Sequence, residues 1–238
     1  GASAGVETGW GVDALGSYPT GAGAGFGADA AMLALLGRRA YVAQTSVAAG
    51  DHLAASVRGA LRFDGPALVA VHAPSPGRHG FAVEKTVERA RVAVASRVWP
   101  LWRFDPSGEG VFGACLSLEG NPGVGAETAG PSPLEWAIGE ARFRGLFARA
   151  TGGDGAKVTD PLDGTSWVAG EEMARFAADR LRAWRTLQEL AGVVTPFTAR
   201  VRAEAEGAVA AERAREIEDL KREHERALAA LRAGFEAE

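Results

Sequence analysis

The stretch from Gly65 to Pro106 constrains the fold most. It opens on Gly65-Pro66, runs through a valine-rich apolar segment from Ala67 to Ala73, and stops at Pro74. A short apolar run bounded by turn residues predicts a strand buried on both faces, as in a parallel sheet. Downstream, Val83, Val87, Ala90 and Val94 recur at helical spacing and predict an amphipathic helix. Trp99 to Phe104 reads as the next strand. Strand, long loop, helix and strand make one βαβ unit with an expected right-handed crossover. In such sheets the loops after strands carry the chemistry, so Pro74 to Gly80 is the first place to look.

The flanking segments extend this pattern. Gly1 to Gly25 is rich in glycine and alanine and reads as mostly loop. A helix is expected over Ala28–Leu36, stopped by Gly37, and a short strand over Ala40–Val47. Asp51 is placed to N-cap a helix over His52–Phe63, with His52 a surface residue. His72 sits in an apolar run, the usual setting of a hydrogen-bonded core histidine. Val111–Leu118 reads as a further strand and 121–133 as a Gly/Pro-rich linker. Helices are expected over Pro133–Ala150 and Ser166–Leu190, the second with Met173, Phe176, Leu181, Trp184 and Leu187 as its apolar residues. Arg175, Arg180, Arg182 and Arg185 read as its solvated face.

Beyond Pro196 the material changes. The segment to Glu238 is rich in Ala, Glu and Arg. Its near-heptad pattern Ile217, Leu220, His224, Ala227, Leu231 predicts a long helix able to form a coiled coil. The expected domains are therefore an α/β domain with closing helices, 1–192, and a helical tail, 193–238. The first holds all six tryptophans; the tail offers a narrow stripe that calls for a partner, either a second copy or another chain.

Composition removes several functional classes. A formal net charge of −4 argues against nucleic acid as the main partner, which needs a basic patch. No apolar run approaches the length of a membrane span, and the Gly/Ala-rich start lacks the basic region of a signal peptide. Cys115 is the single cysteine, so no intrachain disulfide and no all-cysteine cluster can be built from this chain alone, and a cytoplasmic location is expected. The first residue is Gly1, which suggests a fragment lacking its N-terminal part.

Three blocks, YVAQTSVAAGD (41–51), GPALVAVHAPSPGRHG (65–80) and WPLWRFDP (99–106), resemble in order and spacing the C-terminal thiamine-diphosphate domain of pyruvate:ferredoxin (flavodoxin) oxidoreductases. The resemblance runs over roughly 1–192. It implies an α/β, parallel-sheet thiamine-diphosphate-binding-type domain, N-terminally incomplete, with a helical C-terminal extension. YPTGAGAGFGAD (18–29) and RLRAWRTLQELAG (180–192) also resemble family segments.

The resemblance also points to site residues. GASAGVETGW falls where the family carries D-T-x-x-Y-S-N-T-G-G, a loop that wraps the cofactor diphosphate and its Mg2+ through a Thr side chain, a backbone carbonyl and an Asn. Only Thr8 and Gly9 match. Ala2 stands at the Thr position, Ala4 at the carbonyl position, where its own carbonyl is still available to the metal, and Glu7 at the catalytic and cofactor-binding Asn position. A carboxylate is repelled by a diphosphate unless the metal lies between them. The plainer alternative is a glycine-rich N-terminal segment without this role. In the loop APSPGRHG the family pattern A-P-C-x-x-H-G places Ser75 at an iron–sulfur ligand position, where a hard serine oxygen replaces a soft thiolate. From the residues alone, Ser75, Arg78 and His79 in a strand-end loop suit anion binding or proton movement, or make a tight Pro/Gly turn with polar surface residues.

The implied function is one part of a 2-oxoacid oxidoreductase. Such enzymes add the C2 carbanion of thiamine diphosphate to a 2-oxoacid, release CO2, pass electrons through 4Fe-4S clusters to ferredoxin or flavodoxin and deliver the acyl group to coenzyme A. Homodimers or larger assemblies are expected. This chain alone, without the family's G-D-G metal motif and a cluster-binding cysteine set, is expected to be inactive. Two rival readings are a degenerate, non-catalytic paralogue with a structural or regulatory role, and an interaction module whose function resides in the C-terminal helix.

Overall fold

The computed structural model describes residues 30–126, 130–150, 156–160 and 164–235. The chain divides into two compact units, 1–193 and 194–238.

The first unit opens with α1 (Ala30–Gly37), β1 (Tyr41–Ser46), α2 (Gly50–Arg62) and β2 (Ala67–His72). β1 and β2 pair in parallel, with Tyr41 opposite Ala67 and Ser46 opposite His72. The parallel crossover is therefore made by α2. After β2 come α3 (Pro76–His79), a 3-10 turn at Val83–Lys85, α4 (Thr86–Ala95) and β3 (Trp102–Phe104). β3 runs antiparallel to β1, with Trp102 opposite Gln44 and Phe104 opposite Val42. β4 (Leu116–Ser117) adds antiparallel to β3, giving the order β2-β1-β3-β4.

This corrects the expected parallel βαβ unit between 67–73 and 99–104. Trp102 pairs near the C-terminal end of β1, so α4 returns the chain to the end of the sheet from which it left. Arg97, at φ 62°, and the bond from Trp99 N–H to Ala93 O, 3.0 Å, turn it sharply back into the sheet. The sheet is α/β and mixed. β2 is also less buried than its apolar run implies, since Ala67 and Val71 are exposed and only His72 is buried. Its one strand partner among the described residues is β1. The central strand is β1, buried at every position.

Beyond β4 the chain forms α5 (Pro133–Ile138), a 3-10 segment over Ala141–Leu146, β5 (Phe147–Arg149), β6 (Lys157–Thr159), β7 (Ser166–Ala169) and α6 (Glu171–Leu190). The expected helix over Pro133–Ala150 is thus broken after one and a half turns. Ser132 caps α5 through a reciprocal box with Glu135, but Gly139 ends it. The helix expected to begin at Ser166 begins at Glu171, because Ser166–Ala169 pairs with both β5 and β6 in a second antiparallel sheet, order β5-β7-β6. On α4, Ala90 and Val94 are buried as expected, together with Arg89 and Ala93, whereas Val87, and Val83 in the preceding 3-10 turn, are exposed.

Two apolar clusters hold this unit. One gathers Ala93, Val98, Trp136, Ile138, Phe143, Met173 and Phe176. The other gathers Leu35, Val42, Trp102, Phe104, Leu116, Trp184 and Leu187. α6 serves both, its first half in one cluster and its second half in the other. Burying each large side chain contributes on the order of 1.5–3 kcal/mol, so α6 fastens the two sheets into one unit. The second unit is α7 (Pro196–Phe235), exposed at every residue from Ala199 to Ala230.

Candidate functional site

The loop that follows β2 ends in α3, a single turn with Pro76 at its start and Gly80 as its left-handed cap, φ 72°. Ser75 occupies the N-cap position, makes no side-chain capping bond and is exposed. His79, four residues on, is turned inward and is 5% exposed. α3 thus splits the loop into a solvent side carrying Ser75 and Arg78 and a buried side carrying His79.

Opposite His79 lies Glu140, fully buried between α5 and the 3-10 segment. Its Oε2 is 3.9 Å from His79 Nδ1. Arg142 reaches the same oxygen with Nε at 2.8 Å and Nη2 at 2.7 Å. The Arg142 guanidinium also lies over the rings of Phe143 and Trp136, at 4.5 and 5.8 Å. Arg89 of α4 is buried nearby and donates from Nη2 to the carbonyl of Trp136. Burial pushes the Glu140 carboxyl up, while Arg142 and Arg89 pull it back down. Burial likewise lowers Arg89, and Glu140 opposes that. A buried charge is tolerated when it is paired, and here Arg142 pairs with Glu140 while the charge of Arg89 acts on it from nearby.

Backbone contacts close the arrangement. Ala141 N–H donates to Gly80 O at 3.3 Å. A methyl at Gly80 would sit 2.6 Å from the Ala141 Cβ, and a side chain at Gly139 would run into the Arg89 guanidinium. Gly80 needs glycine for both its left-handed φ and this close approach, whereas at Gly139 the end of the Arg89 side chain would have to shift.

A second buried neighbourhood adjoins the ends of β1 and β2. His52 Nδ1 is 2.9 Å from Thr45 Oγ1 and 3.4 Å from Ser56 Oγ. The Thr45 carbonyl accepts a bond from Trp99 Nε1 at 2.7 Å. The Trp99 ring stacks on His72, centroids 5.4 Å apart. Among the described residues neither ring nitrogen of His72 has a hydrogen-bond partner. Burial lowers His72 to about 3, reinforced by His79 and Arg142, and lowers His52 to about 4, reinforced by Arg103.

Of the residues the sequence singled out, Ala2, Ala4, Glu7, Thr8 and Gly9 lie outside the described residues. Ser75 is at the loop expected, on its solvent side. His52 is buried, which corrects the surface assignment: Thr45 on β1 offers it a hydroxyl across the α2–β1 contact. His72 is a core histidine as expected, held by an aromatic stack where hydrogen bonds were anticipated. Asp51 lies in the first turn of α2 and is not its cap, which falls at Ala49; its charge still suits the helix N-terminus. Sequence reasoning missed Arg89, Glu140 and Arg142. The signal that marks them is the pair of glycines, Gly80 and Gly139, at which backbone and guanidinium approach.

The chemistry available follows from this packing. A cluster needs soft thiolates. Ser75 offers a hard oxygen, and Cys115 is buried in the apolar cluster of Phe104 and Leu116, its Sγ directed at the carbonyls of Gly110 and Glu109. The residues present do not fit an iron–sulfur group. Among the described residues no three His, Cys, Asp or Glu side chains group to hold a metal, and no helix is long and apolar enough to cross a membrane.

The first unit is an α/β domain with a mixed sheet and a histidine-bearing loop at the C-terminal end of its parallel pair. No family model matches the chain. Pyruvate synthase subunit PorB of Pyrococcus horikoshii is 31% identical over 130 residues, 50% of this chain and 38% of that protein. Pyruvate-flavodoxin oxidoreductase of Rhodospirillum rubrum is 30% identical over 93 residues, 39% of this chain and 8% of that protein. A probable pyruvate-flavodoxin oxidoreductase of Escherichia coli is 30% identical over 107 residues, 44% of this chain and 8% of that protein. Over these stretches the chain is similar, at about 30% identity, to pyruvate oxidoreductases. It spans well under half the length of these curated relatives.

Proposed function

We propose that this chain forms the thiamine-diphosphate-type C-terminal part of a pyruvate-class 2-oxoacid oxidoreductase, and that the loop after β2 acts there as a packed wall. The observation that supports the reading is the partial identity to PorB and to the pyruvate-flavodoxin oxidoreductases. Thiamine diphosphate would supply the carbanion that attacks the 2-oxoacid. This chain would supply the wall: Glu140, Arg142 and Arg89 fix His79 and the Gly80 backbone, and the His72–Trp99 stack excludes water from the strand ends. Because His72 is held neutral, that wall adds no charge at the end of β2. Ser75 leaves no ligand for a cluster in this loop.

The test uses the full-length protein with its natural companion subunits, purified without oxygen. Pyruvate- and coenzyme A-dependent reduction of a viologen dye, dependent on added thiamine diphosphate and Mg2+, is the expected result. Absence of such activity in a complex that binds neither cofactor would favour the non-catalytic paralogue, a reading supported by Ala2, Glu7 and Ser75 standing where the family has Thr, Asn and Cys.

A further inference from the structure

α7 presents an apolar stripe to solvent. Ile217 is 54% exposed, Leu220 63% and Leu228 42%, and Ile217, Leu220, Lys221, His224 and Glu225 line a shallow, mainly apolar hollow on the helix surface. With Ile217 at heptad position a, Leu220 falls at d, His224 at a, Ala227 at d and Leu231 at a. Arg213 then falls at d and ends the seam on its N-terminal side. The flanking positions are Glu216 and Glu223 at g, and Lys221 and Leu228 at e. On the outer face, Glu218 and Arg222 pair within the helix at 3.6 Å.

We propose that α7 pairs in parallel and in register with α7 of a second copy of this chain, along the seam from Ile217 to Leu231. Charge selects this arrangement. In a parallel pair, g of one helix meets e of the next heptad on the other. Glu216 then meets Lys221 of the second copy, twice by symmetry. An antiparallel pair that layers Ile217 on Leu220 of the second copy would instead bring Glu216 to Glu223, a like-charge contact, also twice. His224 at a central a position fixes the register at a cost in stability, the known effect of a polar residue there. The seam is about two heptads long and contains Ala227, so the dimer is weak and concentration-dependent.

Sedimentation equilibrium of the 238-residue chain at low salt tests this. A reversible monomer–dimer equilibrium is expected. Leu220→Glu should lower the association constant by at least about 30-fold, since each copy then places a carboxylate in the seam. Lys221→Glu should lower it by about tenfold, and adding Glu216→Lys to that variant should restore it, because the pair is rebuilt with reversed sign. His224→Leu should tighten it by about tenfold. These substitutions fall on an exposed helix, so far-UV circular dichroism should remain that of the parent. A chain that stays monomeric at all concentrations, a dimer indifferent to Leu220→Glu, a trimer or larger species, or a double charge reversal that fails to restore association would each overturn the proposal.

Discussion

Two buried neighbourhoods sit side by side at the strand ends, and they solve the same problem differently. Around His52, the polar ring is neutral and meets hydroxyls, Thr45 at 2.9 Å and Ser56 at 3.4 Å. Around His79, the chain buries full charges, with Glu140 paired to Arg142 and Arg89 buried nearby. The first depends on hydrogen bonds worth about 1 kcal/mol each. The second contains a buried carboxylate whose removal would leave the half-buried Arg142 without its ion-pair partner and the buried Arg89 without a nearby opposite charge. The contrast teaches where this domain is brittle: it should bend at the hydroxyl network and break at the charged one. Thr45 ties the first together, its hydroxyl on His52 and its carbonyl on Trp99, which stacks on His72.

The sharpest way to separate them is Glu140→Ala. It leaves Arg142 and Arg89 uncompensated and should cost about 3–5 kcal/mol, read as a fall in the midpoint of urea unfolding at unchanged slope. A loss below about 1 kcal/mol would mean that the pair is effectively solvated and that the contrast is unfounded. Thr45→Val should cost less, about 1 kcal/mol, because it removes the nearer of two hydroxyls from His52 Nδ1, keeping Ser56 Oγ at 3.4 Å and the Trp99 bond to the backbone.

His72→Phe should change stability at neutral pH by less than about 1 kcal/mol, since it keeps the stack on Trp99 and removes two unpartnered nitrogens. Its effect should appear in acid. The folded values of about 4 for His52 and about 3 for His72 lie below the ordinary 6.5. Below pH 6.5 the unfolded chain therefore binds more protons than the folded one. The stability contributed by keeping these rings neutral is fully present above 6.5 and is lost as pH falls toward 4 and then 3. Each histidine contributes a slope of up to about 1.4 kcal/mol per pH unit in that window. Glu140 works in the opposite direction, because a raised carboxyl makes the folded state the better proton acceptor. Comparing the parent with His72→Phe cancels that contribution, and the variant should show the shallower acid slope. Equal slopes would mean that His72 is not held neutral.

The sequence made the elements with a clear period legible and left the rest hidden. β1, α2 and α7 follow from patterning, as does the apolar face of α6 with Met173, Phe176, Trp184 and Leu187. The second sheet was invisible because its strands, FAR, KVT and SWVA, are too short to show alternation, and SWVA runs straight into a helical pattern with only Gly170 between. The direction of β3 was not readable from its residues: Trp102 and Phe104 mark a buried strand equally well parallel or antiparallel. The buried charges were missed for a plain physical reason. Arg89, Glu140 and Arg142 look like solvated residues until the fold brings them together, and only Gly80 and Gly139 hint at the close approach. The loop itself was legible, and Ser75 lies in it.

Ser75 bears on the central proposal, that the loop after β2 is a packed wall with no place for a cluster. Iron and acid-labile sulfide should be determined on full-length protein purified without oxygen, with electron paramagnetic resonance after dithionite, for the parent and for Ser75→Ala. The account predicts identical iron content and identical spectra, because Ser75 is exposed and offers only a hard oxygen. A four-iron signal present in the parent and lost in Ser75→Ala would contradict it.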